Sequence, residues 1–148
     1  MRNSTTNDLY QLRKIAATKD YALAEHGDGF VIPGPEFLAS LAPDEPAQYV
    51  ALLRYKQGEL RANHYHKHKV EHLIVLDGVL VVELRNAAHE ADSAVVFEVA
   101  AGDVLTIQPE CHHVVTAKTD TAAALELSPQ KLDLSDVFYL TDFSKDEG

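Results

Sequence analysis

The chain has 148 residues, of which 46% are hydrophobic and one is cysteine, and its mean hydropathy is -0.16; this suits one domain with a single core and excludes an internal disulfide or a Cys-rich zinc site. No apolar run approaches the ~20 residues of a membrane-spanning helix, and the polar start Met1-Arg-Asn-Ser-Thr-Thr-Asn-Asp8 does not read as a signal peptide, so a cytoplasmic location is expected. A formal net charge of -10 argues against a nucleic-acid or anionic-membrane partner, because phosphate backbones reward basic patches.

Thr5 to Thr18 carries Leu9, Leu12, Ile15 and Ala16 at near-helical spacing, with Thr5 and Asp8 placed for a capping box. The spacing predicts a short N-terminal helix, or an arm over residues 1–20 packing on a neighbouring subunit. His26-Gly-Asp-Gly29 is a turn signal, with His26 as a loop residue and Phe30-Val-Ile32 as a short strand. Pro33-Gly34-Pro35 and Pro43-Asp-Glu-Pro46 enclose Glu36 to Leu41, read as one helical turn within a loop. Gln48 to Lys56 alternates as a strand. One face holds Val50, Leu52, Arg54 and Lys56, the other Tyr49, Ala51, Leu53 and Tyr55, and either Arg54 or Tyr55 could enter a pocket.

Leu60 to His66 reads as a strand, followed by Glu71 to Asp77 with Glu71, Leu73 and Val75 on one face. Asp77-Gly78 between apolar runs predicts a type I′ hairpin, which makes Val79 to Leu84 the returning strand. Asn86 to Ser93 is a polar loop with His89 exposed. Ala94 to Val99, Val104 to Gln108, His113 to Ala117 and Ala122 to Leu127 complete about eight short strands, the pattern of a barrel or sandwich. After Pro129, the apolar residues Leu132, Leu134, Val137, Phe138 and Leu140 suit a short helix or strand closing the barrel, and residues 141–148 form an acidic tail. The whole is one domain, 1–148, with its core over 48–128.

Two stretches carry chemistry. His64 and His66, spaced i, i+2 on an extended chain, point to the same side, and Glu71 follows after a turn. Imidazole nitrogens with one carboxylate favour a divalent transition ion (Zn, Fe, Mn or Ni) over calcium or magnesium. A fourth ligand is expected from the stretch Ile107 to Thr116, where the histidine pair His112-His113 opens a β-branched run. His68 falls in the turn between ligands, and His72 on the outward parity beside Glu71; both suit the surface, or a hydrogen bond that orients a ligand. Cys111 reads as a small packing residue. Arg54, Lys56, Arg61, Lys67 and Lys69 put five of the 13 basic residues in one stretch whose single acid is Glu59. Such a field attracts an anionic small molecule, or else marks solvated strand edges.

Gly58, His64, His66, Glu71 and Gly78, at these spacings, resemble the first motif of the cupin superfamily. Gly102, Gln108, Glu110 and His113 resemble the second, with Gln108 and Glu110 standing where the family usually has proline and glycine. The resemblance implies an all-β fold, a small antiparallel jelly-roll barrel (a double-stranded β-helix), with the metal inside one end on His64, His66, Glu71 and His113. It also implies a homodimer, since cupins commonly pack barrel edges together. Arg61 to Glu71, with Val75 and Gly78, is similar to cupin modules of nucleotide-sugar and surface-polysaccharide pathways; Leu127-Ser-Pro129 and Leu134-Ser-Asp-Val137 are similar to the tail of sugar-isomerase-like cupins.

The expectation is therefore an isomerase or epimerase of a carbohydrate-like anionic carbonyl compound, a sugar phosphate or nucleotide sugar. An ion with open positions would stabilise the charge formed when a proton leaves beside the carbonyl. His68, His72, Tyr55 and Glu126 are the nominees for proton transfer, and Arg54, Lys56 and Arg61 for substrate binding. A mononuclear non-haem iron dioxygenase is the competing enzyme reading, and a non-catalytic small-molecule-binding cupin the third.

Overall fold

Alternation decides most of this fold. In Tyr49–Lys56 the inward set ends on buried Tyr55, while Val50 and Leu52 stay 62% and 77% exposed on the outer face. In Val79–Asn86, Leu80, Val82 and Leu84 are buried and their neighbours are not. Such period-2 segments bury one side only when two sheets face each other.

A computed structural model describes residues 4–6, 8–14 and 46–140. They form ten strands: β1 (Ser4–Thr6), β2 (Tyr10–Lys14), β3 (Tyr49–Lys56), β4 (Arg61–His64), β5 (Glu71–Asp77), β6 (Val79–Asn86), β7 (Val95–Ala100), β8 (Asp103–Ile107), β9 (Cys111–Ala117) and β10 (Thr121–Ser128). Every pairing between them is antiparallel. One sheet has six strands in the order β1-β2-β8-β5-β10-β3, and the other has four in the order β4-β9-β6-β7. The core between them contains Tyr55, Leu73, Val75, Leu80, Val82, Leu84, Val99, Leu105, Ile107, Cys111 and Val115. This is the all-β jelly-roll architecture expected, although the two sheets are not hydrogen-bonded into a closed barrel. No helix among the described residues is long and apolar enough to cross a membrane.

Two expectations are corrected. The N-terminal stretch is a β-hairpin in its described part: β2 pairs with β8 from Tyr10↔Ile107 to Lys14↔Asp103, and no helix forms there. Tyr10 and Leu12 are both buried, so period 2 prevails over the near-helical spacing, and the Lys14 ammonium meets the Asp103 carboxylate at 2.6 Å. The second correction is at Asp77-Gly78, which is not a hairpin turn. β5 pairs with β8 and β10, whereas β6 pairs with β7 and β9, so the chain turns a corner from one sheet to the other. Only Gly78 of the two takes a positive φ, +75°. A Cβ there would stand 2.5 Å from the Thr121 carbonyl oxygen, so the corner needs glycine for space as well as for conformation.

Beyond β10 the chain makes a turn at Leu134-Ser135 and returns as a single bridge, Phe138 to Tyr65. It closes one end of the sandwich with isolated contacts rather than a helix or full strand. The expectations for His26, Phe30 to Ile32, Glu36 to Leu41, residues 15–20 of the N-terminal arm, and the acidic tail lie outside the described residues.

Candidate metal centre

His64 ends β4 and pairs directly with His113 of β9 across the ladder, so both imidazoles leave the same face side by side. Their centroids are 4.9 Å apart and the rings are edge-on. His66 follows Tyr65 and brings its ring to 4.7 Å from that of His64. Glu71, the first residue of β5, projects from the opposite sheet. Ligand atoms of His64, His66, Glu71 and His113 all lie within 4.8 Å of one another.

A local irregularity places His64. Ala62 and Asn63 both take left-handed backbone, φ 66° and 59°, where the β4–β9 register shifts. Consecutive non-glycine residues in this region cost free energy, and such strain concentrates at functional sites. His112, on the other face of β9 from His113, places its Nε2 3.1 Å from Asn63 Oδ1. The histidine pair therefore divides its work: His113 enters the cluster, and His112 holds the bulge beside it.

The hydrogen bonds fix what the rings can offer. His113 Nδ1 donates to the Cys111 carbonyl at 3.0 Å, and His66 Nδ1 donates to the Asp136 carbonyl. A carbonyl only accepts, so both rings carry their proton on Nδ1 and turn an Nε2 lone pair inward. Those two Nε2 atoms are buried and make no hydrogen bond of good geometry. Yet Glu71 Oε1 and Oε2 stand 2.7 Å and 3.4 Å from them. Acceptors facing a carboxylate at this range require a cation between them, a proton or a metal ion. The residues thus fit a divalent transition ion, and the carbonyl bonds are those that commonly orient metal-binding histidines.

The charges of the cluster depend on one another. Burial alone would raise the Glu71 carboxyl, but His113, His66 and Lys69 outweigh it and hold it well below the carboxylate range. Burial alone would lower His66, yet the adjacent Glu71 carboxylate prevails and raises it. His64 is lowered to about 4 by burial and by His113 and His66, so it is neutral at physiological pH. Cys111 is buried in the core and pushed up to about 12, chiefly by burial, which makes it a packing residue and not a ligand.

Beside the cluster is a cavity of ≈ 140 Å³ whose lining includes Tyr55, Arg61, His64, Glu71, His113 and Glu126 together with apolar Leu53, Leu73, Ile107 and Val115. The Arg61 guanidinium lies 5.6 Å from the Tyr55 ring centroid and donates to the Arg54 carbonyl at 3.0 Å. The Tyr55 hydroxyl is raised by burial and by Glu126, against the opposing pull of Arg61, and stays protonated. Glu126 is raised by burial and by the Glu71 charge, with Lys69 opposing.

Of the residues nominated for proton transfer, Tyr55 and Glu126 line the cavity, whereas His68 and His72 do not. His68 is exposed and borders a separate open groove with Gln48, Gln130 and Lys131. His72 has the opposite parity to Glu71 and faces away from the cluster, as expected. It is nevertheless not at the surface: 2% exposed, its Nδ1 lies 2.9 Å from Thr106 Oγ1. Arg54 and Lys56 are corrected likewise, because the β3 alternation turns them outward and leaves Tyr55 facing the cavity. Of the three basic residues proposed for substrate, Arg61 alone lines it.

Two residues were not singled out from the sequence. In the sequence Lys69 is only one charge of a basic stretch; its Nζ is 2.8 Å from Glu126 Oε2, 3.6 Å from Glu71 Oε1 and 4.0 Å from the Tyr49 ring centroid. Asp136 accepts the backbone N–H groups of Lys67, His68 and Lys69 at 2.8, 3.2 and 3.1 Å. The available signal for Asp136 was the Leu134-Ser-Asp-Val137 similarity, which identifies the tail but not its contacts.

The sequence profile described as the polysaccharide biosynthesis C-terminal domain matches residues 37–128, more than half of the chain. No curated protein sequence matches it. Among solved structures, QdtA, a sugar 3,4-ketoisomerase from Thermoanaerobacterium thermosaccharolyticum determined with TDP, is 20% identical with a TM-score of 0.70, over 96% of either chain. The dTDP-6-deoxy-D-glucose-3,5-epimerase RmlC from Legionella pneumophila is 14% identical with a TM-score of 0.68, over 94% of this chain and 77% of that one. The capsular polysaccharide assembling protein CapF from Staphylococcus aureus is 16% identical with a TM-score of 0.58, over 95% of this chain but 34% of its own. At these identities the similarity establishes the fold.

Proposed function

The chain belongs to the family of polysaccharide biosynthesis C-terminal domains, and from that premise we propose that it is a metal-dependent isomerase or epimerase of a nucleotide-linked keto sugar. The observation that carries the metal is the pair of buried Nε2 lone pairs, on His66 and His113, converging on the Glu71 carboxylate. Support for the reaction class comes from the adjoining cavity, with its protonated phenol and carboxyl group, and from fold relatives named as a ketoisomerase and an epimerase.

His64, His66, Glu71 and His113 would hold the ion. When bound, it supplies a Lewis acid that polarises a sugar carbonyl and eases the negative charge developing on its oxygen. Glu126, poised upward by burial, takes the proton from the carbon next to that carbonyl, while the C–H electron pair moves into the carbon skeleton and onto oxygen. Returning the proton to the former carbonyl carbon, with a proton passing between the two oxygens, moves the carbonyl; an epimer forms instead when water protonates the opposite face and Glu126 gives its proton up to solvent. Tyr55 keeps its hydroxyl proton and donates to a substrate oxygen. Arg61 meets the phosphate charge at the mouth. A cavity of ≈ 140 Å³ admits the sugar ring and leaves the nucleotide outside, since pockets that take up whole drug-sized ligands measure about 300–1,000 Å³.

We assign the enzyme to the cytoplasm, and to a homodimer in which a second copy covers the edge strand β3 with its exposed Val50 and Leu52; sedimentation as a monomer at micromolar concentration would remove that assignment. The test of function is elemental analysis of protein purified without added metal, together with incubation of TDP-linked 4-keto sugars in D2O followed by NMR. Stoichiometric zinc, manganese or nickel with deuterium entering beside the carbonyl is the expected result. Iron with substrate-dependent oxygen uptake makes it a dioxygenase, and tight binding without exchange makes it a non-catalytic receptor.

A further inference from the structure

The segment between His66 and Glu71 has no sheet to hold it. None of Lys67, His68, Lys69 and Val70 lies in a strand, yet they join two proposed ligands and must fix both. All four of their backbone N–H groups point to the C-terminal segment. The first three end on the Asp136 carboxylate at 2.8, 3.2 and 3.1 Å, and Val70 donates to Gln130 Oε1 at 2.8 Å. Asp136 is 6% exposed. Its own carbonyl oxygen takes the proton of His66 Nδ1. Alongside, Tyr65 and Phe138 exchange two backbone hydrogen bonds of 2.9 Å and stack their rings at 5.7 Å, and the Lys67 ammonium lies 4.2 Å from the Phe138 centroid.

We propose that Asp136 is a positioning residue for the ion: its carboxylate and carbonyl together fix the ligand loop and the His66 ring, so the C-terminal strap sets how tightly the ion is held. The inference rests on the metal reading above. The physical argument is one of preorganisation. Three N–H groups converging on one carboxylate make charge-assisted bonds that no solvent arrangement reproduces in a buried site. Without them the four-residue loop has many conformations, and ion binding must then supply the cost of ordering it. The carbonyl bond sets which His66 nitrogen is free and where it points, the role for which outer partners of metal-binding histidines are known to matter by about 10–100-fold in affinity.

The experiment is a cobalt(II) titration of the full chain against a chromophoric chelator, with the visible absorption of bound cobalt recorded at each step. Wild type is compared with Asp136→Asn, which keeps the size and one acceptor oxygen, and with Asp136→Ala. The expected result is a rise in Kd of about 10-fold for Asp136→Asn and up to about 100-fold for Asp136→Ala, with an altered cobalt spectrum. All titrations are run well below the melting temperature of the metal-free variants, so that lost stability alone does not move Kd. If Asp136→Ala does not fold, the Asp136→Asn comparison decides. A wild-type chain that takes up no cobalt overturns the metal reading and this inference with it. Wild type that binds, with Asp136→Asn binding within twofold and showing the same spectrum, overturns this inference alone.

Discussion

The Lys69 ammonium bonds the Glu126 carboxylate at 2.8 Å, joining residues 57 apart in sequence, and stands 3.6 Å from Glu71 on its other side. One largely buried cation therefore separates the proposed proton carrier from the proposed ligand. Removing it leaves two carboxylates facing each other out of water, and breaking a buried pair in this way costs about 3 kcal/mol. Lys69→Met should lose roughly that much in urea denaturation of the metal-free protein, and adding Glu126→Gln should restore part of it. Equal losses in the single and double variants would show that the two side chains do not interact.

Glu126 and the ligands answer different questions. Glu126→Gln keeps the shape of the side chain and removes its proton chemistry, so turnover should fall on the order of 10²–10⁴-fold while metal content stays at the wild-type level. His68→Ala and Lys56→Ala, outside the cavity, should leave turnover within about twofold, the range expected where no contact with substrate is lost. Measuring kcat and metal stoichiometry on the same preparations separates the cases; a full-speed Glu126→Gln enzyme would remove Glu126 from the reaction.

His66→Ala should lose most bound metal while the β-sandwich stays folded, because the side chain leads inward from a loop and the core lies on the strands. His72→Gln, on the opposite parity, should keep its metal. Inductively coupled plasma analysis with far-UV circular dichroism reads both, and full occupancy in His66→Ala would sink the ligand set.

Much of this site was legible because spacing carries geometry. His64, His66 and Glu71 share a face by the parity of an extended chain, and the alternation of β3 made Tyr55 and Arg54 mutually exclusive before the structure chose Tyr55. Parity could not say whether an outward residue meets water: His72 points out of the sandwich and is still buried against Thr106. Asp77-Gly78 misled because a turn dipeptide reports a reversal of backbone and not which sheet receives the next strand. At the N-terminus Leu9, Leu12, Ile15 and Ala16 fitted period 3.6 while Tyr10 and Leu12 fitted period 2, and pairing with β8 decided between them. Lys69 and Asp136 act through contacts across 57 and 67 residues, which no local pattern encodes.

Glu110 shows a departure from a family pattern with a physical reading. It stands where cupins usually have glycine, and its φ of 65° is the left-handed conformation that glycine adopts freely. Its N–H donates to the His66 carbonyl at 2.7 Å and its carbonyl accepts from Ala87 at 2.8 Å, so the turn is held in spite of the strain. Glu110→Gly should stabilise the protein by about 1 kcal/mol, seen as a higher urea midpoint at unchanged m-value. A lower midpoint would mean that the side chain contributes more than the backbone costs.

Acid should act through His72. Burial, then the positive charge of Arg13, lowers it to about 4 from the ordinary 6.5. A histidine with a depressed folded-state pKa favours folding while neutral, so its contribution is complete above pH 6.5 and is lost as pH falls towards 4. The unfolded chain takes up the proton first. His72→Gln has no such proton to take up. The stability difference between wild type and His72→Gln should therefore shrink by on the order of 1–3 kcal/mol between pH 7 and 4; a difference independent of pH would contradict the neutral buried imidazole.

The corner at Gly78 has a kinetic meaning. It sends consecutive strands to different sheets, so each sheet is assembled from distant parts of the chain, and folds dominated by such non-local pairing form slowly. Glu71 belongs to one sheet and His64 and His113 to the other, which means that the full ligand set comes into existence only after the two halves have docked. An ion gripped by all four would then be a clasp fastened on the finished fold: it would lengthen the lifetime of the native state by slowing its opening, and would leave the rate of closing to the bare chain.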